Sequence, residues 1–153
     1  MIDKKFFIFL IFLVSACGYT PIYKGLSDIN FEINITQLKG DSTINNHIRN
    51  DLARYREREG SNKDLYTISI NSEYEKSSIS KNLSGDDTSY ELRVVSKINI
   101  TSEKFTDELI IVEKLNMANM SDDFEENEYE QTIKVNFANS IVRKLISRIS
   151  QIQ

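Results

Sequence analysis

From Ile29 onward apolar side chains fall on alternate positions: Ile29, Phe31, Ile33 and Ile35, with Asn30, Glu32, Asn34 and Thr36 between them. A period of two with one apolar side predicts a strand with one buried face. Gly40 interrupts it, and Asp41 or Ser42 can cap a helix by accepting from its first free amides. The period then lengthens. Ile44, Ile48, Leu52 and Tyr55 draw one apolar stripe along a helix, with Gly60 as its natural stop.

Alternation returns twice more. Tyr66, Ile68, Ile70 and Tyr74 oppose Thr67, Ser69, Asn71 and Glu73, and Tyr90, Leu92, Val94, Ile98 and Ile100 oppose Glu91, Arg93, Lys97 and Asn99. The polar stretch Ser77–Ser89 between them holds Gly85, Asp86 and Asp87, which predicts a hairpin with a long tip. Ser102–Lys104 makes a tight connection to a last strand, Phe105–Met117. Its run Leu109–Val112 is apolar on both faces, which predicts a strand that is central or covered on both sides. A second helix closes the chain. Ser121–Glu128 puts acid at its positive end and Arg143, Lys144 and Arg148 lie towards the other, as the macrodipole favours. Its stripe runs Tyr129, Ile133, Phe137, Ile141, Leu145 and Ile149, joined by Val142 and Ile146. The order β-α-β-β-β-α predicts an α+β fold, a two-layer sandwich of a four-stranded, mostly antiparallel sheet packed by two α-helices.

The residues ahead of this domain have a different character. Lys4 and Lys5 make a basic start, Phe6–Val14 is purely apolar, and small residues Ser15 and Ala16 precede Cys17. These are the three regions of a secretory signal peptide. The apolar run is far too short to cross a bilayer, which takes about 20 helical residues. Val14-Ser15-Ala16-Cys17 resembles the bacterial lipobox. That resemblance implies cleavage before Cys17, a diacylglyceryl group on its thiol and a third acyl chain on the new amine. Each buried methylene contributes about 0.8 kcal/mol, so several chains anchor stably where one is marginal. The chain then divides into a lipoprotein signal peptide (1–16), a lipidated tether (17–28) containing the only proline, Pro21, and one domain (29–153). Gly18 is not the Asp that retains many lipoproteins in the inner membrane. The resemblance therefore implies the outer membrane of a Gram-negative bacterium, on its periplasmic side.

Composition narrows the function. At 40% apolar the sequence suits a packed core, and a net charge of -4 argues against a nucleic-acid partner. One Cys and one His cannot make a structural zinc site of the usual ligand count, and no internal disulfide is possible. No nucleophile elbow, glycine-rich phosphate loop or paired-histidine zinc motif occurs. His47 lies off the apolar stripe and reads as a surface residue, and Asp122–Glu130 lack the ligand spacing and glycine of a calcium loop. The expectation is a protein that is not an enzyme and takes no cofactor or metal.

The segment Ser15–Tyr23, reading Ser-Ala-Cys-Gly-Tyr-Thr-Pro-Ile-Tyr, resembles the start of the LptE family of lipopolysaccharide-assembly lipoproteins, particularly its alphaproteobacterial members. The likeness continues in the order of elements, in the strand Tyr90–Val95 and in the closing helix at Ile141–Leu145. It implies two helices on a four-stranded sheet. It also implies a plug for the lumen of an LptD-type outer-membrane β-barrel that assists barrel assembly and lipopolysaccharide insertion into the outer leaflet. Family members are thought to contact lipopolysaccharide through basic residues. One such position corresponds to Lys81, in the tip between the second and third strands, and Lys76, Arg93 and Lys97 would extend it towards lipid phosphates. Each is equally an ordinary exposed lysine or arginine. A second basic position, ahead of the final helix, is unmatched, because Asn116–Asp123 holds no Lys or Arg. A function of another class fits the same lipidated start: an auxiliary lipoprotein of a lipid-transport ABC system that bridges or carries phospholipids. A periplasmic enzyme with an unrecognised site is the third alternative.

Overall fold

The computed structural model describes residues 30–56 and 63–152. The signal peptide, Cys17 and the tether lie outside the described residues, as do Ile29 and Gly60. The elements are β1 (Phe31–Gly40), α1 (Ser42–Leu52), a single 3-10 turn (Ala53–Tyr55), β2 (Asp64–Lys81), β3 (Asp87–Thr101), β4 (Thr106–Ala118) and α2 (Asp123–Gln151). The strands lie side by side in chain order, β1 parallel to β2 and the other two pairs antiparallel. This is the α+β sandwich the periodicities predict.

Both helices cover the same face. Ile44, Ile48 and Leu52 of α1 and Ile133, Phe137, Ile141, Leu145 and Ile149 of α2 are buried. They pack against Ile33, Ile68, Ile70, Leu92, Val94, Ile98, Ile100 and Ile111, the alternate residues of the four strands. One polar pair interrupts this surface. Ser72 and Ser96 are cross-strand partners, both wholly buried, and their hydroxyls share a hydrogen bond of 2.8 Å.

The crossover from β1 into α1 has little room. Gly40 has φ +95, a left-handed conformation that only glycine adopts freely, and a Cβ there would stand 1.9 Å from the carbonyl oxygen of Ser72. The Asp41 amide donates to that same oxygen at 2.9 Å. Asp41 then caps α1, one carboxylate oxygen accepting from the Ile44 amide at 3.0 Å.

Three expectations need correction. The first helix ends at Leu52, well before Gly60. The chain tightens into the 3-10 turn and becomes extended at Arg56, which bridges to Ile33 alongside β1. The hairpin tip is short, Asn82–Asp86, because β2 and β3 continue through the polar residues on either side. Paired hydroxyls there do what an apolar face does elsewhere: Ser80 bonds Thr88 and Ser89, and Ser78 donates to Asp87. The third concerns β4. It is an edge strand and not a central one, and Ile110 and Val112 are left 55% and 43% exposed.

Candidate functional site

The densest cluster of charge forms where β2 and β3 outrun β1. The last β1–β2 pair is Gly40 with Ser72, so Glu73–Lys81 pair with β3 alone, and the first turns of α2 lie over them. Lys134 of α2 is buried there. Its Nζ sits 3.0 Å from Asp41 Oδ2 and 3.4 Å from Glu130 Oε1, and 4.2 Å from the centre of the Tyr74 ring. Lys76 of β2 shares Glu130 from below, at 3.0 Å from its Oε2, and lies 2.7 Å from Glu126 Oε1, with its Nζ 4.6 Å from the Tyr90 ring centre. The second oxygen of Glu126 accepts from the Met120 amide at 3.0 Å.

Mutual neutralisation favours the charged forms of Lys76, Glu126 and Glu130. Burial pushes the Glu130 carboxyl up, but hydrogen bonding and the nearby Lys76 and Lys134 cations bring it below its ordinary value. Glu126 is lowered by its bond to Lys76 and by the Met120 amide. Burial disfavours the Lys76 cation, yet Glu126 and Glu130 outweigh it and raise that pKa. Tyr74 is kept neutral, its pKa raised by burial first and then by Glu130 and Asp41. The cluster ties the cap of α1, the first turns of α2 and the overhanging hairpin together. Sequence reasoning missed it, although the spacing of Glu130 and Lys134 is that of a helical ion pair.

The four basic positions singled out from sequence are not one strip. Lys76 pairs across the sheet with Leu92, a core residue, and so lies on the helix-covered side. Arg93 and Lys97 have the opposite parity and stand on the uncovered side, across from Lys114 and Ile110 of β4. Lys81 ends β2 with its side chain 61% exposed, 3.0 Å from Asp87 Oδ1 and donating to the Gly85 carbonyl at 3.4 Å. The Ser78 hydroxyl and then Lys81 hold the Asp87 carboxyl below its usual range. Alternation already carried this division, since Leu92 and Arg93 are neighbours on one strand.

The uncovered side of the sheet is otherwise mostly polar, with Thr67, Ser69, Asn71 and Asn99 at its centre. Near β4 it turns apolar: Val95 pairs with Val112, and Ile110 follows on the same strand. Along this edge a groove of about 340 Å³ runs between Leu109–Val112 and the α2 residues Lys144, Ser147, Arg148 and Gln151. Two ion pairs tie α2 to β4. Asp107 accepts from Arg148 at 2.8 Å, and Glu113 accepts from Lys144 at 2.7 Å and from the Ser140 hydroxyl at 2.6 Å. Among the described residues, no three His, Cys, Asp or Glu side chains converge as metal ligands would. No described helix is long and apolar enough to cross a membrane.

No family model and no curated protein sequence matches this chain. Solved structures do. The rare lipoprotein B of Shewanella oneidensis superposes with a TM-score of 0.56 at 13% identity, over 78% of this chain and 98% of that one. A minor lipoprotein of Acinetobacter baumannii gives 0.52 at 11% identity, over 76% and 93%. An uncharacterized lipoprotein B of Nitrosomonas europaea gives 0.56 at 16% identity, over 86% and 92%. At these identities the shared property is the fold.

Proposed function

We propose that this chain is a lipoprotein of the outer membrane, held on the periplasmic side by acyl chains on Cys17, and that it acts by binding and not by catalysis. Its partner is an LptD-type β-barrel, which it plugs and helps to assemble, assisting the insertion of lipopolysaccharide into the outer leaflet. The observation that carries this reading is a lipobox-like Val14-Ser15-Ala16-Cys17 ahead of a fold that recurs in three solved lipoproteins. A largely polar uncovered sheet face supports the barrel partner, because the lumen of an outer-membrane barrel is polar and must be met with hydrogen-bonding groups. Arg93 and Lys97, with Lys81 in exchange for its exposed pair with Asp87, are the cations proposed for lipid phosphates, since Lys76 is already matched by two carboxylates.

Affinity purification of the tagged full chain from membranes tests the partner. Recovery of a large outer-membrane barrel supports the reading. Recovery of an ABC transporter complex without a barrel overturns it in favour of phospholipid transport. Cys17→Ala is expected to abolish acyl labelling, and labelling that persists would remove the anchor. Lys81→Asp is expected to weaken lipopolysaccharide binding by the purified chain; unchanged binding would dismiss that contact.

A further inference from the structure

We infer that the β4 edge is a pairing surface for a second copy of this chain, joining two four-stranded sheets antiparallel through a two-fold axis at Ile111. β4 pairs with β3 along its whole length, Thr106 to Ala118, without a single shift of register. Nothing pairs with its other side among the described residues. A long, regular edge with exposed apolar residues is a template for another strand, and proteins usually block such edges with bulges, prolines, charges or a covering segment. Here the central residues Leu109–Val112 carry no charge, and Ile110 and Val112 are exposed. The acids that flank them on the helix side, Asp107 and Glu113, are already matched by Arg148 and Lys144.

Charge complementarity selects the occupant and its register. With Ile111 opposite its own copy, Ile110 faces the second copy's Val112 and Glu108 faces its Lys114, each twice by symmetry. Glu108 has no ion pair of its own among the described residues. Lys114 is half-exposed and held only by Glu91 at 3.1 Å, so it can be shared. Sliding the second copy by two residues one way sets Glu108 against Val112, a charge against an apolar side chain. Sliding it the other way sets Ile110 against Lys114 and leaves Glu108 facing Asn116. Only the Ile111-centred register puts opposite charges and apolar residues against their complements on the uncovered face. It also keeps both pairs of helices on one side and lets each copy's edge close the other's 340 Å³ groove.

The test uses the full chain in detergent micelles, with the unsubstituted protein and its single cysteine, Cys17, as control. An equal mixture of Ile110→Cys and Val112→Cys chains is expected to form a disulfide-linked dimer under mild oxidation, well above either variant alone. Adding Glu108→Lys turns both attractive pairs into repulsive ones. This should raise the dissociation constant seen by sedimentation about tenfold, from cross-strand charge pairs of up to about 1 kcal/mol each. Glu108→Lys combined with Lys114→Glu should restore it. A chain that sediments as a monomer at all concentrations overturns the inference. So does self-cross-linking of either cysteine variant that matches the mixture, because it reports a different register. None of these readouts involves a barrel, so their failure leaves the proposed function untouched, and the failure of that reading leaves the dimer untouched.

Discussion

The sheet has two edges, and they are finished differently. β1 is parallel to its neighbour and bulged between Ile35 and Gln37, and its inner residues Phe31 and Ile33 are buried. Arg56 lies against it at Ile33, and at its end Gly40 presses on Ser72. β4 is antiparallel, unbulged and longer, and its Ile110 and Val112 face outward. One edge is spent on the interior. The other contributes a buried Ile111 and Met117 and leaves the remainder to solvent or to a partner. Substitutions on β1 are therefore expected to register as stability, and substitutions on the outer side of β4 as association.

The largest effect belongs to Gly40→Ala. It forces an alanine into a left-handed conformation and drives its methyl into a backbone carbonyl that has nowhere to move. A loss of about 4 kcal/mol in urea unfolding is expected; a loss under 1 kcal/mol would mean that the crossover yields easily and that β1 is not pinned. Next comes Ile33→Ala, a buried truncation expected to cost about 3 kcal/mol, against a change within about 0.5 kcal/mol for Ile110→Ala on the opposite edge. Equal losses from the two would mean that the edges contribute alike to stability.

Acid gives a smaller, sided effect. Burial raises the Glu113 carboxyl, but hydrogen bonds from Lys144 and Ser140, with the Lys144 charge, bring its pKa below the ordinary value. Asp107 is likewise lowered, by Arg148. A depressed folded pKa stabilises the protein above the unfolded value, and that contribution is lost as pH falls through the folded one. Stability measured between pH 7 and pH 3 should therefore fall. Glu113→Gln should start lower by about 1 kcal/mol at pH 7 and fall less steeply. A parallel slope would show that the Glu113–Lys144 pair contributes nothing. Smallest for stability is Glu108→Lys, expected within about 0.5 kcal/mol by urea unfolding. A larger loss would mean that this outer position has a role within the monomer.

Much of the fold is legible because strand and helix periods differ, and the switches at Gly40 and after Ala118 are sharp. Leu109–Val112 misled because an apolar run states how many faces are apolar, not whether anything covers them. Only the strand order shows that β4 has one neighbour. The polar arms of the hairpin were invisible for the converse reason: Ser77–Ser80 and Thr88–Ser89 pair through backbone and hydroxyls, and leave no alternation to read. The α1 stop at Leu52 has no glycine or proline to mark it, since the chain turns there to reach β1. Among candidate site residues, Cys17 is the most legible and lies outside the described residues. The basic positions are easy to name and hard to place. Strand parity separates Lys76 from Arg93, whereas the burial of Lys134 depends on Asp41, nearly a hundred residues away in sequence.

The Ser72–Ser96 pair acts as a parity check on assembly. β2 and β3 are long arms joined by a short turn, and alternate apolar residues would fit almost as well if one arm slid two places. In the slid arrangements Ser72 meets Val94 or Ile98, and each serine enters the core with no hydroxyl to answer it. An unanswered buried hydroxyl costs about 1–3 kcal/mol, and each slip creates two. The weakest-looking residues of the interior thus discriminate against misaligned hairpins while the chain is still folding, a task that the uniform isoleucines around them cannot perform.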